Sequence, residues 1–354
     1  MTLPFAPIPL PLLVTGVAGV PGYNAFQYFQ ARYPGQVVGI RQRDNWRLSG
    51  EGVEPCDAED VDTLRGLFDR YRFRSVLDCA GNCALRACEL DSERAWRINV
   101  GGVQNLLEVI HAVHGGPSWT GGAPPVRLVH LSVDLVFSGN GYGGHVETDP
   151  TDPVTVYGET MVASERIVAE RYPSACTLRI SLPMGVSFNG HAGAIDWIQS
   201  RFKKHRPATL YFDEVRTPHY TDCLNELCEV LLAADESIDG GRPPLAGLYH
   251  AGGPKPWSLF EIAQVINRVG GYDPDLLMGC PRLHAGPVPP RSGNSSMDTS
   301  KLASALGYAP FDPWPLDSAF HPTDRLWHYR RGSEPGSPEL LSRILCRNPR
   351  RRAP

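Results

Sequence analysis

The turn Thr15-Gly16-Val17-Ala18-Gly19-Val20-Pro21-Gly22 constrains this chain more than any other segment. It follows the apolar run Leu12-Leu13-Val14 and leads into Tyr23 to Tyr33, which has helical spacing. Glycines spaced G-x-x-G-x-x-G let the backbone turn sharply and approach a pyrophosphate, which then rests on the positive end of the helix. A second apolar run, Val37-Val38-Gly39-Ile40, ends about 18 residues beyond the turn, as a dinucleotide-binding unit requires. Gly16, Gly19, Val20 and Gly22 are therefore expected cofactor contacts. Pro21 suits the first turn of a helix but removes one amide donor. Either neighbouring amides hold the phosphate or affinity is reduced.

The alternation continues. Ser75-Val76-Leu77, Val126 to Leu131 and Thr177 to Ile180 suit buried strands, while Val61 to Tyr71, Trp96 to Val113 and Met161 to Arg171 carry helical spacing, as in Val103, Leu106, Leu107 and Ile110. This pattern predicts an α/β fold, a doubly wound parallel sheet of the Rossmann type covered by helices on both faces. The reading assigns residues 1–185 to the dinucleotide-binding domain and 186–329 to a smaller C-terminal α/β substrate domain, with helices over Asp222 to Ala234 and Ser258 to Val269. Residues 330–354 form a basic tail, with Arg330-Arg331 and Arg350-Arg351-Arg352, expected to fray or pack peripherally. Gly115 to Pro125 reads as a surface loop, and Gly139 to Gly144 as a loop beside the carboxyl edge of the sheet.

Composition narrows the partners. A net charge of −4 without a dominant basic face argues against nucleic acid and favours a small molecule. No apolar run reaches the ~18 residues of a membrane span, and the proline-punctuated start, Met1 to Val14, reads as an extended arm and not as a secretory signal. Nine cysteines without paired C-x-x-C spacing read as reduced thiols of a cytoplasmic protein, with no metal expected.

Further cofactor contacts are expected at the strand ends. After the second strand, Arg41 and Arg43 occupy the place where a cofactor lacking a ribose phosphate would want a carboxylate, so NADP(H) is favoured over NAD(H). The competing reading is that both arginines are merely solvated. Asp57 is placed to meet the adenine amino group, and Cys79-Ala80-Gly81 supplies small residues where the cofactor crosses the sheet; Leu182 completes the set.

Val156-Tyr157-Gly158-Glu159-Thr160-Met161 looks like the Tyr-x-x-x-Lys signature of a nicotinamide-dependent reductase with Met161 in place of the lysine. An ammonium one helical turn from a phenol lowers the phenol's pKa from ~10 toward neutrality. A thioether cannot do this, which leaves Tyr157 a reluctant acid-base group.

With these residues the chain resembles the extended short-chain dehydrogenase/reductase family, in its dTDP-4-dehydrorhamnose reductase branch, which is also similar to the regulatory β subunit of methionine adenosyltransferase. The resemblance runs from about residue 10 to 310. Its strongest blocks are Leu131 to Gly139, Glu147 to Pro153 and Val156-Tyr157-Gly158, followed by Asp213 to Pro218, Arg291 and Met297 to Leu302; Asn99 matches the family's helix asparagine. The resemblance implies that a Ser or Thr binds the substrate carbonyl, the Tyr gives the proton and the Lys holds the nicotinamide ribose. Here the hydroxyl position is Val133, and the adjacent Ser132 faces the opposite side of its strand. The catalytic set is therefore Tyr157 and Ser132, with Val133 and Met161 as replacements, and the implied substrate-binding set is Asp134, Arg216 and Arg291.

Three functions follow from the resemblance: an atypical reductase of a nucleotide-linked 4-keto sugar, a non-catalytic NADP(H)-binding regulatory protein with a protein partner or homodimer, and a sugar-nucleotide dehydratase or epimerase. Glu159 and Glu165 read as solvated faces of their helix, and His130, His145 and His219 as substitutes for a missing base or as structural histidines.

Overall fold

The computed structural model describes residues 8–114, 126–190, 192–233, 245–331 and 335–347. In chain order the strands are β1 Leu12–Val14, β2 Val37–Arg41, β3 Val53–Pro55, β4 Ser75–Asp78, β5 Arg127–Val133, β6 Cys176–Ile180, β7 Pro183–Met184, β8 Ala208–Tyr211, β9 Val215–Arg216, β10 His219–Tyr220, β11 Gly247–Ala251, β12 Trp257–Ser258 and β13 Leu277–Cys280. The helices are α1 Val20–Arg32, α2 Val61–Tyr71, α3 Leu85–Leu90, α4 Ser92–Trp96, α5 Gly102–His114, α6 Val156–Arg171, α7 Ala194–Lys203, α8 Thr221–Leu232, α9 Leu259–Val269, α10 Ser300–Leu306 and α11 Pro338–Ile344.

A seven-stranded sheet has the order β11-β6-β5-β4-β1-β2-β3, and the pairs β1–β2, β1–β4, β2–β3 and β4–β5 are parallel. Its central strands are short apolar runs buried along their length, as in Leu12-Leu13-Val14, because helices cover both faces, while the edge strands β3 and β11 are partly exposed. On one face the predicted stripe of α5, Val103, Leu106, Leu107 and Ile110, meets Leu64, Leu67 and Phe68 of α2 and Val76 and Leu128 of the sheet in a continuous core. Asp60 starts α2 by accepting from the Thr63 amide, and Arg72 in the left-handed region ends it. On the other face α1 is fastened to α8: the buried Glu229 accepts from Tyr28 and Tyr33, each at 2.6 Å, and from Arg32 Nε at 2.8 Å.

The chain divides into two interleaved units, and not at a single boundary near residue 185. One comprises Met1–Val133, Val156–Arg179 and Asn225–Tyr249, the other Asp134–Thr155, Ile180–Leu224 and His250–Pro354. The physical reason is the sheet: β11, far along the chain, adds beside β6 at its edge, while the segment after β5 leaves it.

The second unit is built from small ribbons, β7 with β10, β8 with β13 and β9 with β12, packed with α7 and α9. Ser258 caps α9 in a reciprocal box with Glu261. The Gly139–Gly144 loop belongs to this unit, where Asn294 N donates to Gly139 O at 2.8 Å; a Cβ on Gly139 would lie 2.5 Å from that same amide nitrogen. The C-terminal segment does not fray throughout. Arg331 donates to Asn267 Oδ1, Ser337 N donates to Val269 O, and Leu341 and Ile344 of α11 are buried. Gly115 to Pro125, Ala234 and Arg350 to Arg352 lie outside the described residues. Among the described residues no helix is long and apolar enough to cross a membrane, and no group of His, Cys, Asp or Glu could hold a metal ion.

Candidate functional site

In the first unit the turn after β1 is shaped by its glycines. Gly16 has φ +63°, and a Cβ there would lie 2.4 Å from Cys79 O; a Cβ on Gly22 would lie 2.3 Å from Gly16 O. Gly19 differs, since a Cβ there meets only Gly16 O at 3.5 Å, an ordinary contact. The protein itself does not require Gly19, since a side chain's Cβ is tolerated there at the start of α1. No side chain caps this helix, so the amides of Val20 and Gly22 point out of its first turn, with Pro21 between them carrying none. Uncapped amides at the start of a helix carry the partial positive charge that suits a diphosphate.

At the carboxyl end of β2 the two arginines have different roles. Arg41 donates through Nε to Leu48 O and through Nη1 to Gln42 O and Arg43 O, so it folds the loop that follows. Arg43 lies outside, half-exposed, with Nη2 on Asp60 at 2.7 Å. An exposed pair of this kind contributes about 0–1 kcal/mol, so its guanidinium can be redirected at little cost. Asp57 Oδ1 accepts the Arg43 amide at 2.9 Å, which holds the Asp57 carboxylate against the same loop.

The Cys79-Ala80-Gly81 segment is fixed by residues that sequence reasoning missed. Thr15 Oγ1 accepts from the amides of Cys79 and Ala80, both at 2.9 Å, and donates to Asp78 Oδ1 at 2.6 Å. Asp78 is fully buried, and His130 Nδ1 lies 2.8 Å from its second oxygen. Burial opposes ionisation of Asp78, but the bonds from His130, Thr15 and the Ala80 amide outweigh it and hold the carboxyl below its usual range. The signal for this network was a Thr and an Asp closing two otherwise apolar strands.

Asn99 extends the anchoring toward α6. It lies in a π-turn, Arg97–Gly101, between α4 and α5. Its Oδ1 accepts from Asn82 N at 2.6 Å, its Nδ2 donates to Thr160 Oγ1 at 2.8 Å, and its carbonyl accepts from Ser164 Oγ at 2.9 Å. Thr160 in turn donates to Tyr157 O at 2.7 Å. Asn99 thereby connects the segment after β4 to the first turn of α6, which carries Tyr157.

Tyr157 is 7% exposed and Met161, one turn on, 3% exposed. Val133 ends β5 half-buried. Ser132 is fully buried and its hydroxyl donates to Glu165, which also accepts from Arg179 Nε at 2.8 Å and Nη2 at 2.7 Å. One expectation is corrected here. Glu165 is not a solvated residue but the centre of an interior ion pair, while Glu159 is exposed as expected. The Ser132 hydroxyl is committed to that pair, because the pleat turns it toward α6.

Each of the three histidines considered as substitute bases is packed against a named neighbour or enclosed in the fold. His130 is bound to Asp78, and His145 lies flat on Phe137 with centroids 4.1 Å apart. His219 is fully buried, and burial pushes its imidazole down to about 3.

The second unit holds the other expected set. Asp134 Oδ2 accepts from Ser181 Oγ at 2.6 Å and lies 3.5 Å from Arg216 Nε. Arg216 Nη1 donates to Ser295 Oγ at 2.8 Å and to Val215 O at 3.0 Å, and its Nη2 to Glu214 at 2.9 Å. Asp134 and Arg216 are buried and engaged by each other and by their surroundings. Arg291 is different: it is 27% exposed, stands over the Tyr211 ring at 4.9 Å, and its Nη1 is 3.8 Å from Glu214 Oε2. Leu182, also in this unit, is half-buried, and its carbonyl accepts from His219 N at 3.2 Å.

The fold and these strand-end residues define a Rossmann-like protein of the extended short-chain dehydrogenase/reductase class. Within that class the chain belongs to the RmlD substrate binding domain family, which matches residues 11–317. It is 26% identical over 265 residues to a dTDP-4-dehydrorhamnose reductase of Aggregatibacter actinomycetemcomitans, covering 72% of this chain and 83% of the relative. It is 22% identical over 329 residues to methionine adenosyltransferase 2 subunit beta of Danio rerio, covering 90% and 91%. Among solved structures it is similar to dTDP-4-dehydrorhamnose reductase from Bacillus anthracis in complex with NADP, with a TM-score of 0.66, 18% identity and coverage of 86% and 95%.

Proposed function

We propose that this protein binds NADP(H) and reduces a nucleotide-linked 4-keto sugar, with Tyr157 as the proton donor. The observation that carries this reading is the turn at Gly19: a glycine where a Cβ would make only an ordinary contact with Gly16 O, so that the fold does not need it, beside the uncapped amides of Val20 and Gly22 at the start of α1. The nicotinamide would supply the hydride. The chain's own residues then bind, orient and donate. Arg43, with Arg41 behind it, offers positive charge to a ribose phosphate, and Thr15 and Asn99 hold the segment from Cys79 to Asn82 against which the dinucleotide would lie. Arg291 would hold the sugar's phosphates. With Met161 where the resemblance implies a lysine, Tyr157 would serve as proton donor in reduction more readily than as base in the reverse oxidation. Loss of a matched acid-base partner costs typically ~10²–10⁴-fold, so slow turnover is expected. The test is absorbance loss of NADPH with nucleotide-linked 4-keto sugars; bound cofactor without any turnover across such a panel would contradict the reductase reading.

A second reading is a non-catalytic NADP(H)-binding regulatory protein, in line with the relative named as a methionine adenosyltransferase subunit. It is favoured by Met161 and Val133, apolar at the two positions where catalysis wants a cation and a hydroxyl. Cofactor binding without turnover, together with a protein partner, would support it.

A further inference from the structure

Glu214 lies in the second unit between two guanidinium groups. Its Oε1 accepts from Arg216 at 2.9 Å, whereas Oε2 is 3.8 Å from Arg291 Nη1, beyond hydrogen-bond reach, and is buried without a hydrogen-bond partner among the described residues. Arg291 Nε is buried and unpartnered in the same way, while the rest of its side chain reaches solvent. A second buried carboxylate, Asp134, shares Arg216. Two buried carboxylates thus depend on Arg216, whose donors are engaged, and on partly exposed cations, Arg291 at 27% and Arg282 at 20%, of which Arg291 lies 3.8 Å from Glu214. Arg282 and Asp213 flank the group, 3.6 Å from each other.

We propose that an anionic nucleotide sugar bound on Arg291 is taken up together with a proton on Glu214. The inference rests on the reading of Arg291 as the phosphate donor. A bound diphosphate draws on the positive charge that balances Glu214 and adds negative charge beside it, and in a poorly solvated site the carboxylate answers by becoming neutral. Burial already pushes both carboxyls up, outweighing the arginines in each case. Glu214 is the one that takes the proton because its Oε2 is uncommitted, whereas Asp134 Oδ2 already holds Ser181 and faces Arg216.

The experiment is calorimetric titration of the full chain with thymidine diphosphate-glucose, whose phosphates are both esterified and carry no proton near neutrality. It is run between pH 6 and 8 in buffers of different ionisation enthalpy. The proposal expects uptake of ~0.3–1 proton per ligand and affinity falling ~2–10-fold per pH unit. Glu214→Gln keeps an acceptor for Arg216 and should bind without buffer dependence or pH slope, while Asp134→Asn should retain both. Binding by the wild type with no proton uptake, or uptake that persists in Glu214→Gln, overturns the proposal alone. No binding by the wild type overturns the reading of Arg291 and the proposal with it.

Discussion

The hydroxyl of Ser132 on β5 donates to Glu165 on α6, two helical turns beyond Tyr157. The serine that stands next to the expected catalytic position is therefore part of the interior. Ser132→Ala should change turnover less than about threefold and cost about 1 kcal/mol of stability, the worth of one hydrogen bond. Glu165→Ala should cost about 3–5 kcal/mol, because it removes the carboxylate that the buried Arg179 guanidinium faces. Chemical denaturation of both variants checks the contrast; a large activity loss in Ser132→Ala with unchanged stability would place it in the catalytic set.

Met161 and Val133 make the complementary prediction. Restoring an ammonium and a hydroxyl by Met161→Lys with Val133→Thr should raise the rate of NADPH-dependent reduction by about 10²-fold or more. Met161→Lys alone should destabilise the protein, because the position is almost fully enclosed. Steady-state kinetics on a nucleotide-linked 4-keto sugar provide the measurement. A double variant that binds cofactor yet gains nothing would argue that more than these two residues separate this site from an active one.

Gly16 and Gly19 should separate folding from binding. Gly16→Ala puts a Cβ into Cys79 O at a positive φ and should cost about 2–4 kcal/mol. Gly19→Ala meets no such obstacle, so thermal stability should stay within about 0.5 kcal/mol while dinucleotide affinity falls at least tenfold. Equal affinity in Gly19→Ala and wild type would remove the turn at Gly19 from the account.

His219 adds a pH dependence to stability. Its folded-state imidazole is depressed to about 3 by burial, against an ordinary value near 6.5. Between these values the unfolded chain binds the extra proton, so this residue makes stability rise with pH by about 1.4 kcal/mol per unit. Its unfavourable contribution is absent above about pH 6.5 and grows as pH falls toward 3. His219→Phe, beside Phe311, should flatten that part of the profile; denaturation midpoints from pH 4 to 7 decide it.

The parts legible in the sequence were those governed by local pattern. The β1–Gly–α1 unit, the stripe of α5 and the position of α6 follow from hydrophobic period and glycine spacing, which depend on neighbours in the chain. The parts that were not legible depend on long-range partners. Glu165 looks solvated until Arg179 and Ser132 are found beside it, and Asp78 looks like a strand end until Thr15 and His130 converge on it. Arg216 and Arg291 are indistinguishable as residue types; only the carbonyls, hydroxyl and carboxylates around Arg216 show which one is spent. The interleaving of the two units was hidden for the same reason, since β11 is a short run with no local sign that it joins a sheet begun more than 200 residues earlier.

The central claim is that a dinucleotide lies on the turn at Gly19 with Arg43 facing its ribose phosphate. Equilibrium titration of the wild-type chain with NADPH and with NADH tests it most directly. The account predicts saturable binding of both, with NADPH the tighter by about tenfold or more, the worth of one charge-assisted contact. No detectable association with either nucleotide, or a clear preference for NADH, would contradict it.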